Sequence, residues 1–294
     1  MPQLPEFPEG LPGVGDVREA RALTGGDIHA TWLITRQDGT RVVVKTTRDV
    51  PPDMFAVEAE GLEAIGASGA MAAPRVLTVS PTHLVMEALA PRHYADPEPP
   101  EFWERAGRAL AGMHRVRGER FGWHRDGWLG TLPQHNAWSA DGYEFYAQHR
   151  LLRYLPEPGV RAVLGEKQLA ALERISARLA DLIPPMPPVL THGDLVSGNM
   201  LDTPDGHAAL IDPAVSYGWP EVDVSMVYCT RGDTIPDRYF DAYAERSPLA
   251  PGWRERAPLL HLREGLSLLA HFPERDQLVR SVGRLVDQVI AAFG

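Results

Sequence analysis

The sequence predicts an α+β protein of two lobes: a five-stranded antiparallel sheet with one helix over residues 1–90, then a mostly helical lobe over residues 91–294. Three observations carry this. Residues 20–48 are rich in β-branched side chains, broken by one Asp38-Gly39 pair. From Pro99 onward the apolar residues recur mainly at helical spacing. Interrupting that second pattern is a polar loop, residues 190–213, closed by the apolar run 208–211.

Taken in order, residues 31–36 and 40–47 form a hairpin, because Asp-Gly supplies the chemistry of a tight turn. Before it, Gly25-Gly26 let backbone N–H groups approach phosphates closely, or serve as a plain turn. On the second strand Val43, Lys45 and Thr47 share one face, and Val42, Val44 and Thr46 the other. Pro51-Pro52-Asp53 starts a helix with Asp53 as its N-cap. Phe55, Glu58, Leu62 and Ile65 step by three, four and three residues, so Glu58 falls inside an inward apolar stripe. Glu60 and Glu63 fall off the stripe and read as solvated. A lone inward carboxylate is costly and needs a cation. Lys45 is the best candidate, one of only two lysines among 29 basic residues. A compact ammonium also suits phosphate oxygens where a guanidinium fork would not fit. Residues 75–80 and 83–86 complete the sheet. Glu87-Ala88-Leu89 then leaves it, either as backbone that meets an adenine edge or as a plain linker.

In the second lobe, residues 99–113 form an amphipathic helix with Phe102, Ala106, Ala109, Leu110 and Met113 on one face, closed by a structural His114. Residues 121–138 hold Trp123, Trp128, Trp138, His124 and His135; such rings either stack on a sugar or pin a long loop to the core. Helical patterns return over 142–155 and 166–182, and a Pro-rich breaker at 184–188 precedes a strand and the polar loop. There Asn199 follows Asp194 by five residues, and Asp212 follows Asn199 by thirteen. Phosphoryl transfer needs such a set. One carboxylate accepts or orients the proton of the attacking hydroxyl, while an amide oxygen and a second carboxylate hold Mg²⁺ against nucleotide phosphates. His192-Gly193-Asp194 through Asn199 fits the His-x-Asp-x-x-x-x-Asn arithmetic of kinase catalytic loops. Asp and Asn beside glycines also make ordinary turns. Joined to a strand lysine and a helix glutamate, the device that aims lysine at phosphates in kinases, the set favours catalysis. Helical patterns continue from Asp212 to the C-terminus.

Composition narrows the function classes. A net charge of −10 argues against general nucleic-acid or anionic-membrane binding. One cysteine, Cys229, permits no internal disulfide and suits a reducing interior. The first ten residues have no basic end or apolar core of a secretion signal, and no apolar run reaches spanning length. A cytoplasmic soluble protein is expected, with no internal repeat and no metal cluster of Cys or His.

At this point HGDLVSGN followed by IDPAVSYGWPEVDVSM resembles the fructosamine (ketosamine) kinase family, a branch of the aminoglycoside-phosphotransferase-like, protein-kinase-like fold. The resemblance covers roughly residues 20–230. It includes Gly25-Gly26-Asp27-Ile28, Phe55 with Glu58 and Gly61-Leu62, FGWHRDGWLGTLPQHNAW at 121–138, Glu144-Phe145 and Arg150-Leu151. The Pro133-Gln134-x-Asn136-x-Trp138 stretch and Asp212-Pro213-Ala214 distinguish this family from other small-molecule kinases. The resemblance implies Asp194 as catalytic base and Asn199 and Asp212 as Mg²⁺ ligands. It places Lys45 on phosphate, supported by Glu58, with Gly25, Gly26 and the backbone of Glu87, Ala88 and Leu89 at the nucleotide. Ser197 and Gly198 would shape the loop, and Asp223 would brace the next helix onto it.

ATP and Mg²⁺ are the cofactors so implied, and a ketosamine or fructosamine, free or attached to a protein amine, is the acceptor. Two departures bear on that acceptor: Val196 stands where the family has Trp, and Trp219 where it has His. With Trp138 and Tyr217 these positions are expected near the sugar. They keep an aminoglycoside- or choline-type acceptor as a rival; a catalytically silent nucleotide-binding protein is another. The cysteine that some members carry in the Gly-rich loop is missing, so no disulfide-linked dimer switch is expected and a monomer is favoured.

Overall fold

Strand pairing in the first lobe follows the Asp-Gly hairpin and extends it on both sides. The computed structural model describes residues 7–8, 10–23, 29–47, 51, 53–89, 100–232 and 234–294. Its first strands are β1 (Val17–Leu23), β2 (Ala30–Arg36) and β3 (Arg41–Thr46); α1 (Met54–Ala67) crosses over, and β4 (Val76–Val79) and β5 (His83–Glu87) return. All pairs are antiparallel in the order β1-β2-β3-β5-β4. At the turn Gly39 takes φ 84°, where a Cβ would be strained, and Asp38 Oδ1 accepts the Thr40 N–H at 2.9 Å.

The predicted alternation on β3 holds. Val42 and Val44 pack with Trp32, Ile34 and Val85 on one side of the sheet. Val43 packs on the other with Phe55 and Leu62 of α1 and Leu84 and Met86 of β5. Lys45, two positions on, is therefore aimed at α1. Asp53 precedes α1 but does not cap it with its side chain. Its carboxylate instead accepts Arg125 Nη2 at 2.5 Å and Trp128 Nε1 at 3.1 Å. Glu60 is likewise not solvated: half-buried, it accepts Trp123 Nε1 at 2.6 Å. Both corrections have one cause. Residues 121–138 cover the α1 face that the sequence pattern left to water.

The second lobe begins with α2 (Pro100–Met113) and a hairpin of β6 (Gly127–Leu129) and β7 (Leu132–Gln134). Next come α3 (Gly142–Tyr146), a π turn at Ala147–Leu151, a 3₁₀ turn at Leu152–Tyr154, then α4 (Pro158–Val163), α5 (Glu166–Ser176) and α6 (Leu179–Leu182). Short strands β8 (Val189–Thr191), β9 (Met200–Asp202), β10 (Ala208–Leu210) and β11 (Ser216–Gly218) follow. Helices α7 (Pro220–Thr230), α8 (Arg238–Ala244), α9 (Trp253–His271) and α10 (Asp276–Phe293) close the chain.

The β6–β7 hairpin, α4 and β11 depart from the sequence pattern, and the helix expected over 142–155 is broken by its π turn. That turn carries Arg150 inward, where it is 5% exposed. Its guanidinium donates to His135 O at 2.7 Å, Asn136 Oδ1 at 2.7 Å and Ser216 Oγ at 3.1 Å. One core joins α2, α8 and the short strands to Ile65 and Met71; another joins α3, α5, α9 and α10. The expected boundary near residue 90 and the Gly25-Gly26 loop lie outside the described residues. No helix among the described residues is long and apolar enough to cross a membrane.

Candidate active site

Strands β8 and β11 pair antiparallel and deliver His192-Gly193-Asp194 to the cleft. The loop is anchored from below. Asp223, fully buried on α7, accepts the His192 N–H at 2.7 Å and the Gly193 N–H at 2.9 Å. His114 Nε2 lies 3.2 Å from the same carboxylate, and its Nδ1 2.8 Å from Tyr243 Oη. Burial alone would raise the Asp223 carboxyl; His114 and the backbone donors hold it below the usual range. Gly193 has φ 78°, and a Cβ there would lie 2.3 Å from Ala214 O, so only glycine fits. His192 turns back to Ile211 O at 2.9 Å while its Nδ1 accepts the Asp194 N–H at 3.2 Å. Asp194 is thus held by its backbone, with its carboxylate left to the cleft.

Asn199 is fixed beside it. Its Nδ2 donates to Asp194 O at 2.8 Å, and its backbone carbonyl accepts the Ile211 N–H at 3.1 Å. That last bond sets the next residue, Asp212, alongside Asn199. Asp212 has φ 57°, a left-handed conformation that is uncommon for a residue with a Cβ and typical of strained functional sites. Lys45, 6% exposed, bonds Glu58 Oε1 at 2.6 Å and also Asp212 Oδ1. Burial would strip the lysine of its proton, but the two carboxylates outweigh that and keep it charged. Lys45, Glu58, Asp194 and Asp212 all line one cavity of about 120 Å³, together with His29 and Trp128. Burial, and next the Lys45 charge, lower the His29 imidazole to about 4. Asp194 is raised to about 8, first by burial and next by the nearby Glu264 carboxylate, with Arg263 opposing.

Of the positions expected near a sugar, Trp138 is 39% exposed and stacks on Tyr217 at 6.2 Å, with Trp123 on Tyr217 at 5.3 Å. Val196 is half-buried. Trp219 is a correction: it is 2% exposed, packed among Phe121, Tyr143 and Tyr146 in the core. At the connector, the Glu87 N–H is spent on Arg75 O at 3.0 Å and the Ala88 N–H leans on Arg41 O at 3.5 Å. As donors to an adenine edge those two groups are already engaged.

The fructosamine kinase family model matches residues 11–292. The chain belongs to the fructosamine kinase family. It is 32% identical over 265 residues to a probable ketoamine kinase of Synechocystis sp., covering 87% of this chain and 84% of that one. The solved structure of a candidate fructosamine-3-kinase from Thermobifida fusca is 34% identical with TM-score 0.83, covering 95% of each chain. An aminoglycoside phosphotransferase, 16% identical with TM-score 0.66 and 95% coverage of both chains, shares the fold, which is protein-kinase-like. A fructosamine kinase family member is a phosphotransferase with a hydroxyl acceptor, and this chain is one.

For a family of phosphotransferases the metal question is whether the oxygens fit. No group of three His, Cys, Asp or Glu side chains among the described residues could hold an ion by itself. Mg²⁺ does not need one, because it is commonly held by one or two protein oxygens plus substrate phosphates. Asn199 spends its amide nitrogen on Asp194 O, which leaves its side-chain oxygen as the atom that could meet an ion, and Asp212 has a second oxygen beyond the one on Lys45. The donors fit.

Sequence reasoning missed Arg263 and Glu264 on α9. Arg263 donates to Gly193 O and Gln134 Oε1, while Gln134 Nε2 donates to Ala214 O at 3.0 Å. The Pro-Gln-x-Asn stretch, read as a family mark, is thus a brace: Gln134 holds the catalytic loop and Asn136 holds Arg150. A signal existed in that the two amides, Gln134 and Asn136, lie between Trp128 and Trp138.

Proposed function

We propose that this chain is an ATP- and Mg²⁺-dependent kinase that transfers the γ-phosphate to a sugar hydroxyl of a ketosamine, free or attached to a protein amine. The convergence of Lys45, Asp212 and Asp194 on one cavity, with Asn199 beside them, is the observation that supports it best. Names of the relatives supply the acceptor class. Asp194 orients the acceptor hydroxyl and takes its proton late, since a loose transition state asks little of the base. A carboxyl raised to about 8 is a stronger base than an ordinary aspartate, and it takes the proton from its ionised form, whose share grows as pH approaches 8. Lys45 holds phosphate oxygens, and Glu58 keeps it pointed at them. Asn199 and Asp212 would hold the ion, which would supply neutralisation of phosphate charge. Gly25, Gly26 and, from the connector, the Leu89 N–H and the Glu87–Leu89 carbonyls complete the nucleotide site in this reading, and Trp138 and Tyr217 form the acceptor wall.

The test is ADP release with fructosyl-lysine, ribulosyl-lysine and unmodified lysine side by side. Release with either glycated amine, lost on chelating Mg²⁺, is expected. Equal release with plain lysine, or turnover only with aminoglycoside or choline-type alcohols, would overturn the acceptor assignment.

A further inference from the structure

The cavity that holds Lys45, Asp194 and Asp212 is not lined by charge alone. Met54 and Val57 from the first turns of α1, and Trp128 and Leu129 from the β6–β7 hairpin, contribute an apolar part. Lys45 and Asp212 suit phosphate and its ion, and Asp194 suits a hydroxyl. Whatever carries that hydroxyl must then lie against the apolar lining.

Trp128 is the broadest group there, and its ring is open. Each of the other six tryptophans touches another aromatic ring. Trp128 touches none among the described residues, and it joins none of their hydrophobic cores. It is nevertheless fixed. Its Nε1 donates to Asp53 Oδ1 of the first lobe at 3.1 Å. Three residues on, the Thr131 N–H donates to His271 Nε2 of α9 at 3.0 Å. The hairpin is thus pinned at both ends, and a half-buried indole lines the cavity with no ring packed on it. Apolar surface left in this way gains free energy when a ligand covers it.

A sugar ring suits such a surface. Its C–H groups stack on an aromatic plane, while the hydroxyls at its rim stay free to reach a carboxylate. We propose that Trp128 is the platform on which the sugar ring of the ketosamine stacks, setting the reacting hydroxyl against Asp194. The assignment rests on the ketosamine reading above and deepens it. Trp138 and Tyr217 line no part of this cavity and are left to whatever portion of the acceptor projects beyond it.

Trp128→Leu and Trp128→Phe test it with fructosyl-lysine as acceptor. Leucine removes the ring; phenylalanine keeps a flat ring but loses the N–H on Asp53. The KM for fructosyl-lysine should rise about tenfold in Trp128→Leu, and Trp128→Phe should recover most of that loss. The KM for ATP should stay unchanged in both, which also reports an intact fold. If the two variants lose acceptor binding equally, the bond to Asp53 matters and the ring does not. If the KM for ATP rises in step with that for the acceptor, Trp128 only holds the lobes. Either result overturns the assignment. The wild-type protein gives a second measurement that needs no variant. Saturating fructosyl-lysine should shield Trp128 from oxidation by N-bromosuccinimide, read by peptide mass spectrometry, and unchanged oxidation would count equally against the platform. In each of these failures fructosyl-lysine is still phosphorylated, and the ketosamine reading stands without Trp128. If the wild-type protein phosphorylates no ketosamine at all, that reading falls and this assignment falls with it.

Discussion

At Asp194 stability and chemistry pull in opposite directions. Its carboxyl is raised from an ordinary 3.8 to about 8 by burial and by Glu264. Between those values the folded protein keeps a proton that the unfolded chain has released. The unfolded state therefore binds fewer protons, and stability falls as pH rises from about 4 to about 8, then levels. The proposed role needs the ionised form, so kcat/KM should climb over the upper part of the same window. Asp194→Asn removes both behaviours. Turnover should drop by about 10²- to 10⁴-fold. The unliganded variant should be about 1–2 kcal/mol more stable than wild type near pH 8, a gain that shrinks toward acid pH. Paired thermal melts across that range decide it; a constant offset would show that Asp194 ionises in the ordinary range.

Among the elements, the catalytic loop depends on one buried residue of α7. Asp223 accepts two backbone N–H groups and faces His114, so its charge is fully used. Asp223→Asn would turn an amide N–H₂ toward donors, and the loss should be about 3–5 kcal/mol, with kcat falling more than KM rises. Denaturant unfolding with steady-state kinetics reads both; an intact kcat would mean the loop is held by Arg263 alone. What was legible in the sequence divides along the same line. The β2–β3 hairpin, the Lys45–Glu58 pair and the Asp194–Asn199–Asp212 spacing were readable because period and turn chemistry are local. Glu60 and Asp53 were misread because their partners come from residues 121–138, far along the chain. Three-residue strands such as β6 and β7 are too short to show a period. Trp219 sits inside because Phe121, Tyr143 and Tyr146 enclose it, and no local pattern states which aromatic will be enclosed. Glu264 carries no periodic mark at all; only its Oε2, buried without a hydrogen-bond partner among the described residues, reveals it.

Across the whole molecule, the two lobes are sewn together on both sides of the cleft. Behind it, Ala72 donates to Ala208 O at 3.0 Å and accepts from Leu210 N at 2.9 Å, which ties the segment after α1 to β10. On the other side, Asp53 and Glu60 of the first lobe hold Arg125, Trp128 and Trp123 of the second. The two seams differ in kind. The first is backbone and independent of side chains; the second is a set of half-exposed charge-assisted hydrogen bonds, each worth little alone. The second seam also carries Trp123, one of the rings on Tyr217, so loosening it should be felt by the acceptor before the nucleotide. The double substitution Asp53→Asn and Glu60→Gln should cost about 1–2 kcal/mol of stability. It should raise the acceptor KM by about fivefold or more while the ATP KM changes little. Hydrogen exchange over residues 121–138 should quicken, and exchange at Ala72 and Leu210 should not. If the ATP KM rises in step with the acceptor KM, the seam sets the closure of the lobes as a whole, and the acceptor wall is not its particular charge.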